Sequence, residues 1–222
     1  MSDIKMTNIP SMNVGKMVEK LSSAYCAIIQ HNYPIKTMPS VMLWGPPGVG
    51  KSQAVRQIAK EIGERTGKRV NVTDVRLLLF NPIDLRGIPT ANADKTLAVW
   101  LKPQIFQMDA SDDIVNILFL DEISAAPQSV QAAAYQITLD RVVGEHKLPE
   151  NCIVIAAGNR VTDKSVAFKI EGSFSSWKQW AISSGINDKV VGFLSFRQSY
   201  LMGFDSDSND LAFPTPPVRG KW

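Results

Sequence analysis

The sequence is poor in the residues that build disulfide frameworks and zinc sites, with two cysteines and two histidines among 222 residues. Cys26 and Cys152 lie far apart in apolar runs, which argues against both kinds of site and predicts two buried thiols. No apolar run exceeds six residues, whereas a membrane-spanning helix needs about 20. Residues 1–5 contain no apolar core of a secretory signal. We therefore expect a cytoplasmic protein without a membrane span.

The chain also lacks a large excess of positive or negative charge. There are 24 Lys and Arg residues against 21 Asp and Glu residues, so the net charge is +3. Basic side chains do not cluster between aromatic ones, which argues against nucleic acid as a partner. With 45% hydrophobic and 20% charged residues, the composition excludes a disordered chain and a coiled coil. The length fits one large domain, or one domain with a small appendage.

Short apolar runs alternate with segments of helical periodicity along most of the chain. The runs at residues 41–44, 70–72, 117–120 and 152–157 predict buried strands, and residues 170–174 predict one further short strand. Helices are predicted at residues 13–30, 52–65 and 127–139. Strands that alternate with helices indicate a parallel α/β sheet with right-handed crossovers. We expect this core to occupy residues 1–174 and a partial helical appendage to occupy residues 175–222.

A glycine-rich loop follows the first predicted strand and leads into a helix. It matches the G-x-x-x-x-G-K-[ST] pattern at every fixed position. In this pattern backbone N–H groups and a helix N-terminus surround phosphate oxygens, the lysine neutralises phosphate charge, and the hydroxyl binds Mg²⁺. The predicted nucleotide-binding residues are Gly45, Pro46, Pro47, Gly48, Val49, Gly50, Lys51, Ser52 and Gln53.

Polar side chains end two other predicted strands. Asp121 and Glu122 follow the apolar run at residues 117–120, and Asn159 follows the run at residues 152–157. Ligands bind at the carboxyl ends of strands in open α/β sheets. We expect Asp121 to hold Mg²⁺ with Ser52, and Glu122 to activate an attacking water. Asn159 would reach the terminal phosphate or that water.

Taken together, these motifs resemble the AAA+ ATPases. Residues 84–89, residues 121–127 and the hairpin at residues 141–148 resemble the MoxR-like branch of that superfamily. The resemblance implies a P-loop NTPase three-layer sandwich with a five-stranded parallel sheet in the order 5-1-4-3-2, followed by a helical lid. It also implies that Lys51, Glu122 and Asn159 act in ATP hydrolysis with Mg²⁺. By the same resemblance, subunits form a ring, usually a hexamer, that remodels a partner protein.

Two segments depart from that pattern. The family places a helix bearing an arginine for the neighbouring subunit's site after the strand that ends in Asn159. Here the connection to residue 170 is too short for a parallel crossover with a helix, and we expect residues to be missing from it. Arg160 does not match the position of that arginine, and Arg219 is a weak match to a second sensor after Thr215-Pro216.

Two other classes of function remain open on the sequence. One is a nucleic-acid-associated loader or mobile-element factor with the same ATPase core. The other is a nucleotide-binding subunit that no longer hydrolyses ATP. A P-loop kinase is disfavoured, because an Asp-Glu pair with a polar strand end suits attack by water better than attack by a hydroxyl group.

Overall fold

A computed structural model describes residues 11–159, 167–171 and 173–196 of the chain. The helices in this part are α1 (Val14–Gln30), α2 (Lys51–Thr66), α3 (Pro82–Arg86), α4 (Gln128–Asp140), α5 (Phe174–Ser183) and α6 (Asp188–Phe196). The strands are β1 (Ser11–Asn13), β2 (Val41–Trp44), β3 (Arg69–Arg76), β4 (Ile88–Ala91), β5 (Ala98–Leu101), β6 (Ile114–Asp121), β7 (Val142–Val143), β8 (His146–Lys147), β9 (Cys152–Gly158) and β10 (Ala167–Glu171).

One parallel sheet forms the centre of the fold. Within the described residues its order is β1-β10-β2-β9-β6-β3, and every neighbouring pair is parallel. Strands β2, β9, β6 and β3 are the parallel core that the four apolar runs predicted. Their carboxyl ends meet at one edge, where the register sets Trp44 beside Gly158 and Arg76 beside Asp121. This edge carries the polar residues singled out in the sequence.

Helices cover both faces of the sheet, so the fold is a three-layer α/β/α sandwich. On one face, Leu43 and other strand residues form a cluster with α1 and α2, including Ile58. On the other face, Leu120 and its neighbours form a second cluster with α4, including Val130. All four of these side chains are fully buried. Complete burial of each stabilises the fold by about 1.5–3 kcal/mol, which holds the strand ends in place.

The ends of α1 and α2 follow from their sequences. Asn13 caps α1, because its side chain accepts a 2.8 Å hydrogen bond from the backbone N–H of Lys16. Gly67 ends α2 with φ of 71°, a left-handed conformation that glycine adopts without steric cost. The predicted start of the first helix and end of the second are therefore confirmed to within a residue.

Two small hairpins lie outside the main sheet and contact each other. β7 and β8 form the tight hairpin predicted around Gly144, which has φ of 60°. β4 and β5 form a second antiparallel pair, within a stretch that the sequence had indicated to be irregular. The Nε2 of His146 donates a 2.8 Å hydrogen bond to the carbonyl oxygen of Trp100. This bond joins the two hairpins into one unit.

Two predicted strands have wrong bounds, for different reasons. The apolar run at residues 70–72 predicted a short strand. β3 instead extends to Arg76, because β6 pairs with it over eight residues. The strand predicted at residues 170–174 is instead β10, which ends at Glu171. Phe174 begins α5, since the side chain of Ser173 caps that helix by accepting from the backbone N–H of Ser176.

The connection from β9 to β10 is shorter than a parallel crossover ordinarily requires. β9 ends at Gly158, opposite Trp44, and β10 begins at Ala167, opposite Met42. The two ends are thus only about 12 Å apart, two strand spacings across and two residues along. The eight residues between Gly158 and Ala167 are long enough to span that distance. Residues 160–166, Arg160 among them, and Arg219 lie outside the described residues.

The last described helices form an apolar cluster of their own. Trp177 and Ala181 of α5 pack against Val191 of α6, with partly buried side chains around them. These helices begin the segment that the sequence assigned to a helical appendage. The remainder of that segment, from residue 197 onward, lies outside the described residues. In the part of the chain that the structure describes, no helix has the length and apolar character needed to cross a membrane.

Candidate active site

The loop between β2 and α2 has the backbone shape of a phosphate cradle. Gly48 and Gly50 have φ of 72° and 98°, values that side-chain-bearing residues rarely adopt. Gly50 is the N-cap of α2, and Lys51 is the first residue of the helix. The N-terminus of α2 therefore presents unpaired backbone N–H groups and partial positive charge to the loop. This arrangement binds an anion such as a phosphate group.

Lys51 is buried, with 8% of its surface exposed. Its Nζ donates hydrogen bonds to the carbonyl oxygens of Gly45 at 2.7 Å and Pro46 at 3.0 Å, and to Oδ1 of Asn159 at 3.0 Å. Burial lowers the pKa of Lys51 to about 8, and the charges of Asp121 and Glu122 partly oppose that shift. The ammonium group is thus held at the loop by three acceptors that an incoming phosphate can replace.

Ser52 and Asp121 lie in contact across the interface between α2 and the sheet. The Oγ of Ser52 donates a 2.7 Å hydrogen bond to Oδ2 of Asp121, while Oδ1 of Asp121 accepts from the backbone N–H of Glu122. A hydroxyl and a carboxylate are the hard oxygen ligands that Mg²⁺ prefers, alongside phosphate oxygens and water. The two residues therefore fit a Mg²⁺ ion bound together with a nucleotide.

Glu122 turns the chain sharply after β6. It has φ of 60°, in the left-handed region, and the next residue, Ile123, donates its backbone N–H to the carbonyl of Ala157 at 2.9 Å. The hydrogen bond from Ile123 to β9 holds this uncommon backbone conformation. The Glu122 side chain is half-buried, and its charge opposes the lowering of the Lys51 pKa by burial.

Asn159 lies at the same edge, directly after β9. Its backbone N–H donates a 2.9 Å hydrogen bond to Oγ of Ser124. In the preceding residue, Gly158, the carbonyl accepts from the backbone N–H of Gly45. A β-carbon at Gly158 would lie 2.5 Å from the ring of Trp44, so glycine lets β9 approach β2 closely. The end of β9 is therefore joined to the first residue of the phosphate loop.

The structure thus brings Lys51, Ser52, Asp121, Glu122 and Asn159 to one edge of the sheet. The remaining predicted nucleotide-binding residues differ in their surroundings. Val49 is partly buried against the α1–α2 cluster, Pro47 is exposed, and Gln53 lies half-buried in the first turn of α2. Ser124, which the sequence reasoning missed, fixes the backbone of Asn159. Nothing in the position of Ser124 in the sequence, two residues after Glu122, predicted its contact with Asn159.

Comparison with known families agrees with this geometry. The profile described as "ATPase family associated with various cellular activities (AAA)" matches residues 41–175, more than half of the chain. This chain belongs to the AAA family of ATPases. The matched range begins at β2 and includes the phosphate loop, Asp121, Glu122 and Asn159.

Individual relatives of this AAA protein are distant and longer. ATPase family gene 2 protein homolog B of Rattus norvegicus is 28% identical in an alignment of 146 residues that covers 60% of this chain and 17% of the relative. Replication factor C large subunit of Pyrobaculum calidifontis is 50% identical over 42 residues, 19% of this chain and 10% of the relative. The chain therefore spans less than a fifth of the length of either curated relative.

A solved structure shares the fold. That of C. elegans PCH-2 aligns with a TM-score of 0.50 and 13% identity, covering 88% of this chain and 50% of the other. At this identity the likeness supports the α/β architecture and carries no information on substrate or partner.

Proposed function

We propose that this AAA protein binds Mg·ATP through its phosphate loop and hydrolyses it to ADP and phosphate. The observation that carries the proposal is the contact between Ser52 and Asp121, 2.7 Å from hydroxyl to carboxylate. This contact joins the helix after the phosphate loop to the strand that ends in the acidic pair. It supports one composite site in which a nucleotide, a metal ion and an attacking water can meet.

Each side chain has a distinct role in the proposed reaction. Lys51 exchanges the carbonyls of Gly45 and Pro46 for phosphate oxygens and stabilises the charge on the transferred group. Ser52 and Asp121 hold Mg²⁺, which supplies neutralisation of phosphate charge when bound. Glu122 orients a water and accepts its proton. Asn159, already bonded to Lys51, senses whether the terminal phosphate is present.

We further propose that the chain acts as a MoxR-like motor that forms a ring and remodels a partner protein. The residues at 84–89, 121–127 and 141–148 support the MoxR-like assignment, and the last range includes the β7–β8 hairpin. In this assignment β10, β2, β9, β6 and β3 correspond to the 5-1-4-3-2 sheet. Residues 1–174 are the ATPase core, and residues 175–222 begin a lid whose angle changes on phosphate release. Free, buried cysteines and consumption of ATP suit a cytoplasmic setting.

A second candidate is a loader that acts on nucleic acid. The similarity to a replication factor C large subunit over 42 residues favours it. A loader of this kind is stimulated by DNA, and the stimulation falls steeply with salt because phosphate contacts release counterions. Under the remodelling proposal, DNA leaves the ATPase rate unchanged at every salt concentration.

The experiment that tests hydrolysis combines nucleotide binding with turnover. A fluorescent ATP analogue titrated into the protein with and without Mg²⁺ measures binding, and phosphate release measures turnover. We expect saturable, Mg²⁺-dependent binding and phosphate release above the buffer rate. Binding without release would instead identify a nucleotide-gated subunit that does not hydrolyse ATP.

A further inference from the structure

The end of β3 carries an arginine that the sequence reasoning left out of the site. β3 runs eight residues in register with β6, and its last residue, Arg76, is the direct partner of Asp121. Neighbouring strands lie about 4.8 Å apart. An arginine side chain reaches farther than that, so the guanidinium of Arg76 can reach the acidic pair at the carboxyl edge.

Arg76 and Asp121 also belong to the same face of the sheet. Side chains alternate between faces along a strand. Val75 and its partner Leu120 are both buried in the cluster under α4. The residues after them, Arg76 and Asp121, therefore point to the opposite face, which α2 covers. The hydrogen bond from Ser52 of α2 to Asp121 independently fixes that direction.

A contact between α2 and β3 lies two residues before the end of β3. Arg56, one helical turn after Ser52, pairs with Asp74 at 3.5 Å. Asp74 precedes Arg76 by two residues and therefore shares its face. Asp74 thus has Arg56 as a partner, and no ion pair joins Asp74 to Arg76 within the described part of the chain.

Arg76 has no partner of its own among the residues that the structure describes. Its side chain is exposed, and no ion pair joins it to an acidic group in residues 11–159 or 173–196. A cation without an ion-pair partner, next to two adjacent carboxylates, can bind an incoming anion. The terminal phosphate of a bound nucleotide would bring further negative charge to this edge.

We propose that Arg76 is a further functional residue of the hydrolytic site and acts on the nucleotide of its own subunit. Its guanidinium stabilises the negative charge that accumulates where the acidic pair and the terminal phosphate meet during phosphoryl transfer. The planar guanidinium suits a phosphate or carboxylate better than an ammonium group does. This inference rests on the proposed ATP hydrolysis and adds an arginine to it.

The test compares three variants with the wild type. Arg76→Ala removes the cation. Arg76→Lys keeps the charge but lacks the planar guanidinium with its paired N–H donors. Arg69→Ala is the matched control. Arg69 is the first residue of the same strand, is exposed, and pairs with Asp113 far from the phosphate loop. Each variant is assayed for ATP affinity, kcat, KM and thermal unfolding.

We expect Arg76→Ala to lower kcat about 10²-fold while ATP affinity and the unfolding temperature stay within error of the wild type. Added guanidinium ion at millimolar concentration should restore part of the lost rate, and Arg76→Lys should lie between the two. Arg69→Ala should match the wild type. A rate for Arg76→Ala equal to that of Arg69→Ala overturns the inference, as does a loss explained wholly by unfolding.

A mixing experiment tests whether the arginine acts within its own subunit. Arg76→Ala protein is mixed with Glu122→Gln protein, which keeps Arg76 but lacks the base. If Arg76 served a neighbouring subunit, the mixture would recover activity, and the inference would be wrong. We expect no recovery, while wild type mixed with Glu122→Gln retains activity as the positive control. An inactive wild type would instead contradict the proposed function itself.

Discussion

The Nζ of Lys51 and Oδ1 of Asn159 lie 3.0 Å apart, joined by a hydrogen bond across the end of the sheet. Lys51 belongs to the phosphate loop and Asn159 to the end of β9, so this bond links the two parts of the site that we expect to contact the terminal phosphate. A nucleotide entering the loop competes for the same ammonium group. We expect the state of the nucleotide to be transmitted in this way to Asn159.

Replacement of Lys51 by alanine should weaken nucleotide binding. The variant loses the ammonium group that Gly45, Pro46 and Asn159 hold at the loop. The charge-assisted hydrogen bond that this group would donate to a phosphate oxygen is lost as well. We expect the affinity for a fluorescent ATP analogue to fall at least about tenfold, a cost near 1.4 kcal/mol. Fluorescence titration measures the change.

The matched control for that prediction is Lys60→Ala on the same helix. Lys60 is exposed and, among the residues that the structure describes, pairs with Glu64 one turn away, a type of pair that contributes little to stability. The control should bind the analogue as the wild type does. Equal loss of binding in both variants would show that the effect is not specific to the phosphate loop.

Replacement of Asn159 by alanine should separate binding from turnover. The variant keeps Lys51 and its two carbonyl partners but loses the Asn159 contact that we expect to report the terminal phosphate. We expect ATP affinity within about threefold of the wild type and kcat lowered about 10²-fold. Asn71→Ala, at an exposed position in β3, serves as the control. Unchanged kcat in Asn159→Ala would remove Asn159 from the mechanism.

Replacement of Gly158 by alanine should destabilise the protein. The added methyl would lie 2.5 Å from the ring of the fully buried Trp44, so the strand or the ring must move. Overpacking of this kind costs about 1–3 kcal/mol. Gly192→Ala in α6 is the matched substitution, because a β-carbon there meets nothing within 4 Å. That variant should be as stable as the wild type or more so, since alanine favours helix.

Denaturant titration measures the free energy of unfolding of both glycine variants. A lower free energy of unfolding for Gly158→Ala alone supports the close approach of β9 to β2. Equal stability of the two variants would mean that the ring of Trp44 moves aside without cost, and that the end of β9 is less tightly fixed than the contacts indicate.

Much of this geometry follows from sequence patterns. Four short apolar runs predicted the parallel core, and the loop from Gly45 to Ser52 predicted an anion site before a helix. Asp121 and Asn159 follow two of those runs directly, so strand ends that meet at one edge bring them together. The prediction was possible because each signal is local and parallel strands align their carboxyl ends.

The sequence did not predict features that depend on pairing between distant segments. β3 extends to Arg76 because β6 supplies partners for polar residues that would not form a strand alone. β1 exists because the three residues before α1 pair with β10. The contact of Ser124 with the backbone of Asn159 also joins segments 35 residues apart. No local periodicity signals such contacts.

The two thiols should react slowly in the native protein. Cys26 and Cys152 are buried and free, and burial raises the pKa of both, that of Cys152 to about 11 despite the opposing charge of Arg141. The folded state therefore disfavours the thiolate, and native stability should fall as pH rises from about 9 to 11, where the unfolded chain ionises first. A thiol reagent at pH 8 should label both sites only after unfolding.

Fast labelling of the native protein at pH 8 would contradict the burial of those thiols. Substitution of each cysteine by alanine in turn shows which site is responsible. The rate of labelling in low denaturant, set against the free energy of unfolding, distinguishes local opening from global unfolding.

The central claim is that one composite site hydrolyses ATP, and steady-state phosphate release by the wild type and by Glu122→Gln tests it most directly. Glutamine keeps the size of the side chain and removes the base. Assays over a range of protein concentrations also report assembly. We predict that specific activity rises with concentration, and that Glu122→Gln binds ATP normally but turns over at least about 10²-fold more slowly. Equal rates for the two proteins at every concentration would contradict the account.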